Sequence, residues 1–237
     1  MIIIDLIRHV RVDGKAALYG KTDVAPLVSE NKRLLSVLNN RPNYDVILTS
    51  PLQRCYSVAQ QLASKQNKFV HSVSKFQEMN FGVIDGVSFT DIYEKSAEIK
   101  DQNHEDTMQV NSSINWSLVE QFFQDPAHTL LPEAETLSDF NKRVSKAWQA
   151  LLIQEYEGET QSKDMQGSKP KRIVLFAHGG VIRMILAEAL GVDWKSPYWH
   201  QNLVIAHGSL TTITITRPFE SKHFLQQVNN IAMPLMD

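Results

Sequence analysis

Three short aliphatic runs in this chain each end in groups that can hold or attack an anion. Ile2-Ile3-Ile4-Asp5-Leu6-Ile7 runs into Arg8-His9, Asp45-Val46-Ile47-Leu48-Thr49 is soon followed by Arg54, and Ile173-Val174-Leu175-Phe176-Ala177 runs into His178. The guanidinium fork matches phosphate oxygens in bidentate fashion. Neutral imidazole can attack phosphorus and carry the phosphoryl group as phosphohistidine. Charge building on that group would be offset by Arg8, Arg54 and a protonated His178, each such donor being worth roughly a hundredfold to a thousandfold in rate. The leaving alkoxide also needs a proton. Two loop carboxylates, Glu78 and Glu135, are the candidates for supplying it and for later activating the hydrolytic water.

This chemistry requires the three runs to lie side by side. Their length and composition read as strands buried on both faces of a parallel sheet. In open α/β sheets, ligands bind beyond the carboxyl ends of the strands. Helical spacing recurs between the runs, in Ser29 to Asn40, in Ser138 to Glu157 and in Val181 to Leu190, the last closed by Gly191. The helix starts after Thr49 and after His178 add positive dipole ends to the anion site. Ser50-Pro51-Leu52-Gln53 carries a helix-start signature, with serine as the cap and proline at the first helical position, which places Arg54 about one turn into a helix. Phe69 to Phe76 reads as a short edge strand and Ser209 to Thr216 as the last strand. Pro197 to Asn202 and the tail beyond Phe219 read as irregular, and Gly158 to Arg172 as an exposed loop. Residues 88–131 are polar and weakly periodic, with helices expected at Asp91 to Lys100 and Trp116 to Gln124. The expected fold is a three-layer α/β/α sandwich with a mostly parallel central sheet. It forms a single domain over residues 1–237, with an inserted cap at about 88–131.

Composition narrows the partners. A net charge of −2 leaves no broad basic field, so neither nucleic acid nor an anionic membrane is expected as a partner. No apolar run approaches the ~20 residues of a membrane span. Cys55 is the single cysteine, which excludes an internal disulfide and fits a reducing compartment. The apolar start runs directly into Arg8-His9 rather than a small-residue cleavage site, so a cytoplasmic location is expected. No metal-ligand spacing is present, and neither a metal nor another cofactor is expected. Gly14 and Gly20-Lys21-Thr22 imitate a P-loop, but five residues separate the glycines where that motif has four. Cys55 imitates a thiol phosphatase nucleophile, but Gln61 stands six positions on, where that chemistry wants arginine.

Four blocks, in order, resemble the histidine phosphatase (phosphoglycerate mutase-like) superfamily. They are Leu6-Ile7-Arg8-His9, Thr49-Ser50-Pro51-Leu52-Gln53-Arg54-Cys55, Glu78-Met79-Asn80-Phe81-Gly82-Val83-Ile84-Asp85-Gly86, and Ala177-His178-Gly179-Gly180-Val181-Ile182-Arg183. The resemblance implies that His9 is the nucleophile, that Arg8, Arg54 and His178 bind phosphate with Gly179 beside them, and that Glu78 donates the proton. Glu135 and Thr136 stand where the family often has Gly-Gly-Glu-Ser, which implies a place in the substrate pocket. The implied partner is a small-molecule phosphomonoester.

The chain departs from the family pattern at Val10, where glycine usually follows the nucleophilic histidine, and this bears on the shape of the pocket. That altered start, with Tyr19-Gly20-Lys21-Thr22-Asp23 and Pro26-Leu27, is similar to the α-ribazole phosphatase branch of cobalamin assembly. Mutases of the family generally place an arginine after the proton donor and a pair in the cap. Here Met79 follows Glu78, and the Ser88 to Leu131 stretch contains no arginine. Hydrolysis of a small phosphomonoester such as α-ribazole 5′-phosphate is therefore the expected activity. Phosphoglycerate mutase-type transfer and a non-catalytic phosphate-binding module are the alternatives.

Overall fold

The computed structural model describes residues 1–101, 115–160, 169–217 and 223–236. The three aliphatic runs form β1 (Ile2–Arg8), β2 (Val46–Thr49) and β4 (Lys171–Ala177). With β3 (Val70–Ser72), β5 (Ser209–Thr216) and β6 (Leu225–Pro234) they make one sheet in the order β3-β2-β4-β1-β5-β6. The pairings of β1 with β4, β4 with β2, and β2 with β3 are parallel. Those of β1 with β5 and β5 with β6 are antiparallel. The three strands whose ends carry the chemistry are therefore adjacent at the centre.

Strand alternation sorts their side chains between two helical layers. Ile2, Ile4, Leu6, Ile173 and Leu175 pack with Phe140, Val144, Trp148 and Leu152 of α5 (Leu137–Thr160) and Val181, Ile182 and Ile185 of α6 (Gly179–Leu190). Ile7, Ile47, Val174 and Phe176 face Leu34, Leu35 and Leu38 of α1 (Val28–Asn39) and Val58 and Leu62 of α2 (Gln53–Gln66). This is the expected three-layer sandwich. α3 (Phe89–Asp101) and α4 (Trp116–Gln124) meet through Phe89 and Tyr93, each with its ring 6.0 Å from that of Trp116, while Phe122 meets Phe81 at 6.0 Å. The middle of the expected cap and most of the expected 158–172 loop lie outside the described residues. No described helix is long and apolar enough to cross a membrane.

Three local expectations are corrected. Pro197–Asn202, read as irregular, is a short helix, α7, with proline in its first turn. The tail contains β6, so Ser209 to Thr216 is not the last strand. α2 begins at Gln53 rather than beside Ser50, and its N-cap, Leu52, makes no side-chain cap bond. The exposed backbone N–H of Gln53 instead donates to Oδ1 of Asp23 at 2.8 Å. A carboxylate from the first loop thus does the work assigned to Ser50.

One buried charge stands in the middle of β1. Asp5 is fully buried, accepts from Tyr44 Oη and Thr212 Oγ1 at 2.8 Å each, and lies 3.7 Å from Arg41 Nη2 and 3.4 Å from Arg172 Nη2. Removing one member of such a cluster strands the others. Asp5→Ala is expected to cost about 3–5 kcal/mol of unfolding free energy, read as a lower urea midpoint at unchanged slope. A loss below about 1 kcal/mol would show that the cluster behaves as surface charge.

Candidate active site

Strand register builds the site. Arg8 pairs with Ala177, and Thr49 with Phe176, so β1, β4 and β2 end level with one another. The ladder continues one step beyond, with His9 N–H donating to Ala177 O at 3.1 Å and Ser50 N–H to Phe176 O at 2.9 Å. His9, His178 and Ser50 are thereby set side by side. The ring centroids of His9 and His178 are 5.2 Å apart. α6 starts directly after His178, as α2 starts after Ser50-Pro51-Leu52.

Hydrogen bonding assigns the protons. His9 Nδ1 lies 2.7 Å from Val10 O. A carbonyl only accepts, so Nδ1 carries the proton and Nε2 keeps its lone pair. Burial and the charges of Arg8 and Arg54 hold His9 well below its usual pKa, which keeps the ring neutral. Val10, where the family usually has glycine, does not narrow the cleft. Its side chain is buried in the core with Ile7 and Leu34, out of the cleft, while its carbonyl orients the histidine.

His178 differs from expectation. Arg54 Nε donates to its Nδ1 at 3.3 Å, and its Nε2 lies 2.8 Å from Ser50 Oγ. An imidazole that accepts at Nδ1 and donates at Nε2 is neutral. Burial and the neighbouring His9 and Arg54 depress its pKa well below the ordinary value. The protonated His178 expected from sequence is therefore neutral, its one N–H given to Ser50 Oγ. Arg54 is fully buried and spends Nη1 on Thr22 O and Nη2 on Tyr19 O and Gly20 O, at 2.8–2.9 Å. It clamps the loop that imitated a P-loop. The N–H groups of Lys21 and Thr22 point to the Asp85 carboxylate at 2.9 Å, and so are not free to cradle phosphate.

The four expected groups do come together, in two ranks. Arg8 and His9 line a cleft of about 440 Å³ with Arg11, Lys15, Tyr19, Glu78 and His207. His178 and Arg54 stand behind them, fully buried. Burial lowers the Arg8 pKa only to about 10, so the group stays cationic. Its guanidinium donates to Ile205 O and, at 2.9 Å, to His207 Nε2. Gly179 presents bare backbone to it, since a Cβ there would press on Arg8 Cζ at 3.3 Å.

Glu78 sits where two cavities meet. It lines the cleft and also a second cavity of about 300 Å³, which Arg8, Leu18 and Phe81 share. One carboxylate oxygen accepts from Gly180 N–H in the first turn of α6, and the other from Met79 N–H, both at 3.0 Å. A Cβ at Gly180 would push the Glu78 carboxylate out of this position.

Glu135 and Thr136 line neither cavity. Glu135 forms a two-pronged ion pair with Arg143 at 2.7 and 2.9 Å, and Arg143 donates to the carbonyls of Lys75, Gln77 and Glu78. Thr136 caps α5, accepting from Asp139 N–H at 3.0 Å. Glu135 braces the Glu78 loop and Thr136 the start of α5, and neither lines the cleft. Cys55 is buried with its thiol on Ala177 O, and burial pushes its pKa up, so it offers no thiolate.

His207 escaped sequence reading. It precedes β5, and because β5 runs antiparallel to β1, its start meets the end of β1. Its ring lies 5.3 Å from that of His9. Burial and Arg8 push its pKa down to about 4. Only a sequence signal for the β1–β5 pairing would have pointed to it.

The buried histidines give stability a pH dependence. In the unfolded chain His9 and His178 bind a proton near pH 6.5, whereas the folded protein holds them neutral to well below that. Below pH 6.5 the unfolded state therefore carries more protons, and stability falls as pH falls. The expected slope is up to about 1.4 kcal/mol per pH unit for each histidine. Urea midpoints across this range check it, and His9→Asn should flatten the slope. Greater stability in acid would contradict the neutral assignment.

The sequence model of the histidine phosphatase superfamily (branch 1) matches residues 4–115 and 112–230. The chain belongs to the histidine phosphatase superfamily. This superfamily member is 24% identical over 195 residues to "Putative phosphoserine phosphatase 2" of Hydrogenobacter thermophilus, covering 81% of this chain and 80% of that protein. Its fold is similar to that of a mycobacterial glucosyl-3-phosphoglycerate phosphatase in complex with inorganic phosphate, with TM-score 0.69 and 19% identity over 99% of both chains. It is similar also to the α-ribazole phosphatase of Shigella flexneri, with TM-score 0.68 and 19% identity over 98% of both chains.

Proposed function

We propose that this histidine phosphatase hydrolyses small phosphomonoesters through a phosphohistidine on Nε2 of His9. The observation that carries the reading is the His9 Nδ1–H bond to Val10 O, which leaves Nε2 unprotonated in a cleft that Arg8 and Glu78 share. The Nε2 lone pair attacks phosphorus and the ester P–O bond breaks. The leaving oxygen takes a proton from Glu78. The resulting carboxylate then removes a proton from water, the water oxygen attacks phosphorus, the P–N bond breaks, and His9 is regenerated. Arg8 receives the phosphoryl oxygens, with the bare backbone of Gly179 beside it. Arg54 and His178 act from behind, Arg54 through its charge and His178 by holding Arg54 and Ser50 in place.

We take α3 and α4, the described ends of the expected 88–131 insertion, as a cap over the carboxyl edge of a single domain. Hydrolysis is favoured over mutase-type transfer because Met79, directly after Glu78, is buried in the core, while α4 brings Phe122 and Phe123 to the second cavity rather than cations. α-Ribazole 5′-phosphate is the first metabolite to test, on the similarity of the Tyr19 to Leu27 stretch to that branch of the family.

Rapid acid and alkaline quench of a reaction with labelled substrate tests the mechanism. The expected result is a covalent phosphate that is stable in alkali, lost in acid and mapped to His9. An acid-stable label, or one on Cys55 or a serine, would overturn the assignment.

A further inference from the structure

The second cavity is unlike the first. Four phenylalanines, Phe81, Phe122, Phe123 and Phe140, line it, and Arg183 and His200 are its polar members beside Arg8 and Glu78. Phe81 comes from the Glu78 loop, Phe122 and Phe123 from α4, and Phe140 from α5. A volume of about 300 Å³ is at the small end of ligand pockets, enough for one or two fused rings. Arg183 donates through Nη2 to Leu203 O at 2.9 Å, but its Nε is buried without a hydrogen-bond partner. A guanidinium carries five N–H donors, so the Arg183 group at the cavity wall keeps capacity for an acceptor beyond the bond to Leu203 O. His200 has already committed Nε2 to Trp194 O at 2.6 Å.

We propose that this cavity is a leaving-group subsite for a flat aromatic or heteroaromatic group carrying a hydrogen-bond acceptor, which Arg183 receives. The inference deepens the hydrolase reading and rests on it for the position of the phosphoryl group. Glu78 lies on the shared wall, so a substrate spanning both cavities carries its bridging oxygen past that carboxylate. Aromatic rings pack edge-on against such a set of phenylalanines. A polyhydroxylated sugar or an amino-acid side would find apolar walls with few partners for its own donors, and would leave them unpaired.

Binding and turnover separate the two readings. Hydroxynaphthoate and plain naphthol, the dephosphorylated probes, are titrated into the protein by fluorescence, and their phosphate esters are assayed in parallel. Hydroxynaphthoate is expected to bind about tenfold more tightly than naphthol. Arg183→Met should erase that ratio, which cancels differences in leaving-group acidity between the esters. Phe123→Ala, at a half-exposed position where truncation spares the fold, should weaken both probes about tenfold. The same ratios should appear in kcat/KM. Equal affinity for the two probes, or affinities unmoved by both variants, would overturn the subsite. Probe binding with the expected ratios but no hydrolysis of any ester would leave the subsite standing and overturn the hydrolase reading.

Discussion

His9→Ala is expected to lower kcat/KM for every phosphomonoester by about 10⁴-fold or more and to abolish the covalent phosphoenzyme. The size follows from how the three imidazoles of the site are committed. His178 uses Nδ1 to accept from Arg54 and Nε2 to meet Ser50. His207 uses Nε2 to accept from Arg8. Of these rings, only His9 has a lone pair that hydrogen bonding leaves free in the cleft. No neighbour can take over attack without first giving up a bond that holds an arginine or serine. What survives the substitution is electrostatic, from Arg8 and the cations behind it. Steady-state rates on an aryl phosphate, with the melting curve as a check on folding, provide the measurement. A loss under about tenfold in a folded variant would mean that water or another residue attacks phosphorus.

Glu78→Gln is expected to slow alkyl phosphates by about 10²–10⁴-fold while sparing a nitrophenyl ester. A nitrophenolate leaves without help, whereas an alkoxide must be protonated as the P–O bond breaks. The rate should therefore become steeply dependent on leaving-group acidity in the variant. The position of Glu78 supports this role, since it is the carboxylate on the wall that the two cavities share. Its oxygens are aimed by Gly180 N–H and Met79 N–H, and its backbone carbonyl is held by Arg143. Equal losses for good and poor leaving groups would move the acid elsewhere. Glu135 is then a poor substitute, because both of its oxygens are engaged by Arg143.

Particular residues show where sequence reading succeeds and where it stops. β1, β2 and β4 were legible because central strands buried on both faces must be aliphatic along their length. The α6 start was legible to within two residues, because a glycine pair after a strand marks a close approach, here of Arg8 and Glu78. β6 was not legible. It is an edge strand with Gln226, Gln227, Asn229 and Asn230 in its middle, and an edge needs no apolar signature to pair through its backbone. Ser50 has the local chemistry of a helix cap, but its hydroxyl meets His178, and Asp23, distant in sequence, supplies the cap. Glu135 and Thr136 matched a pocket position by resemblance, yet Arg143 and the end of α5 claim them.

The sequence by itself determined which chemical groups stand at the ends of the strands, and hence the class of reaction. Strand composition and the residue that follows a strand are local matters. Only the tertiary structure decided which of those groups can act. Strand order and register made Arg8, His178 and Ser50 neighbours, and hydrogen bonds between residues far apart in the chain then fixed each proton. A free lone pair on His9 and neutrality at His178 are properties of those partners. They come from burial and from atoms that the residues' own neighbours in sequence do not supply, save for the carbonyl of Val10.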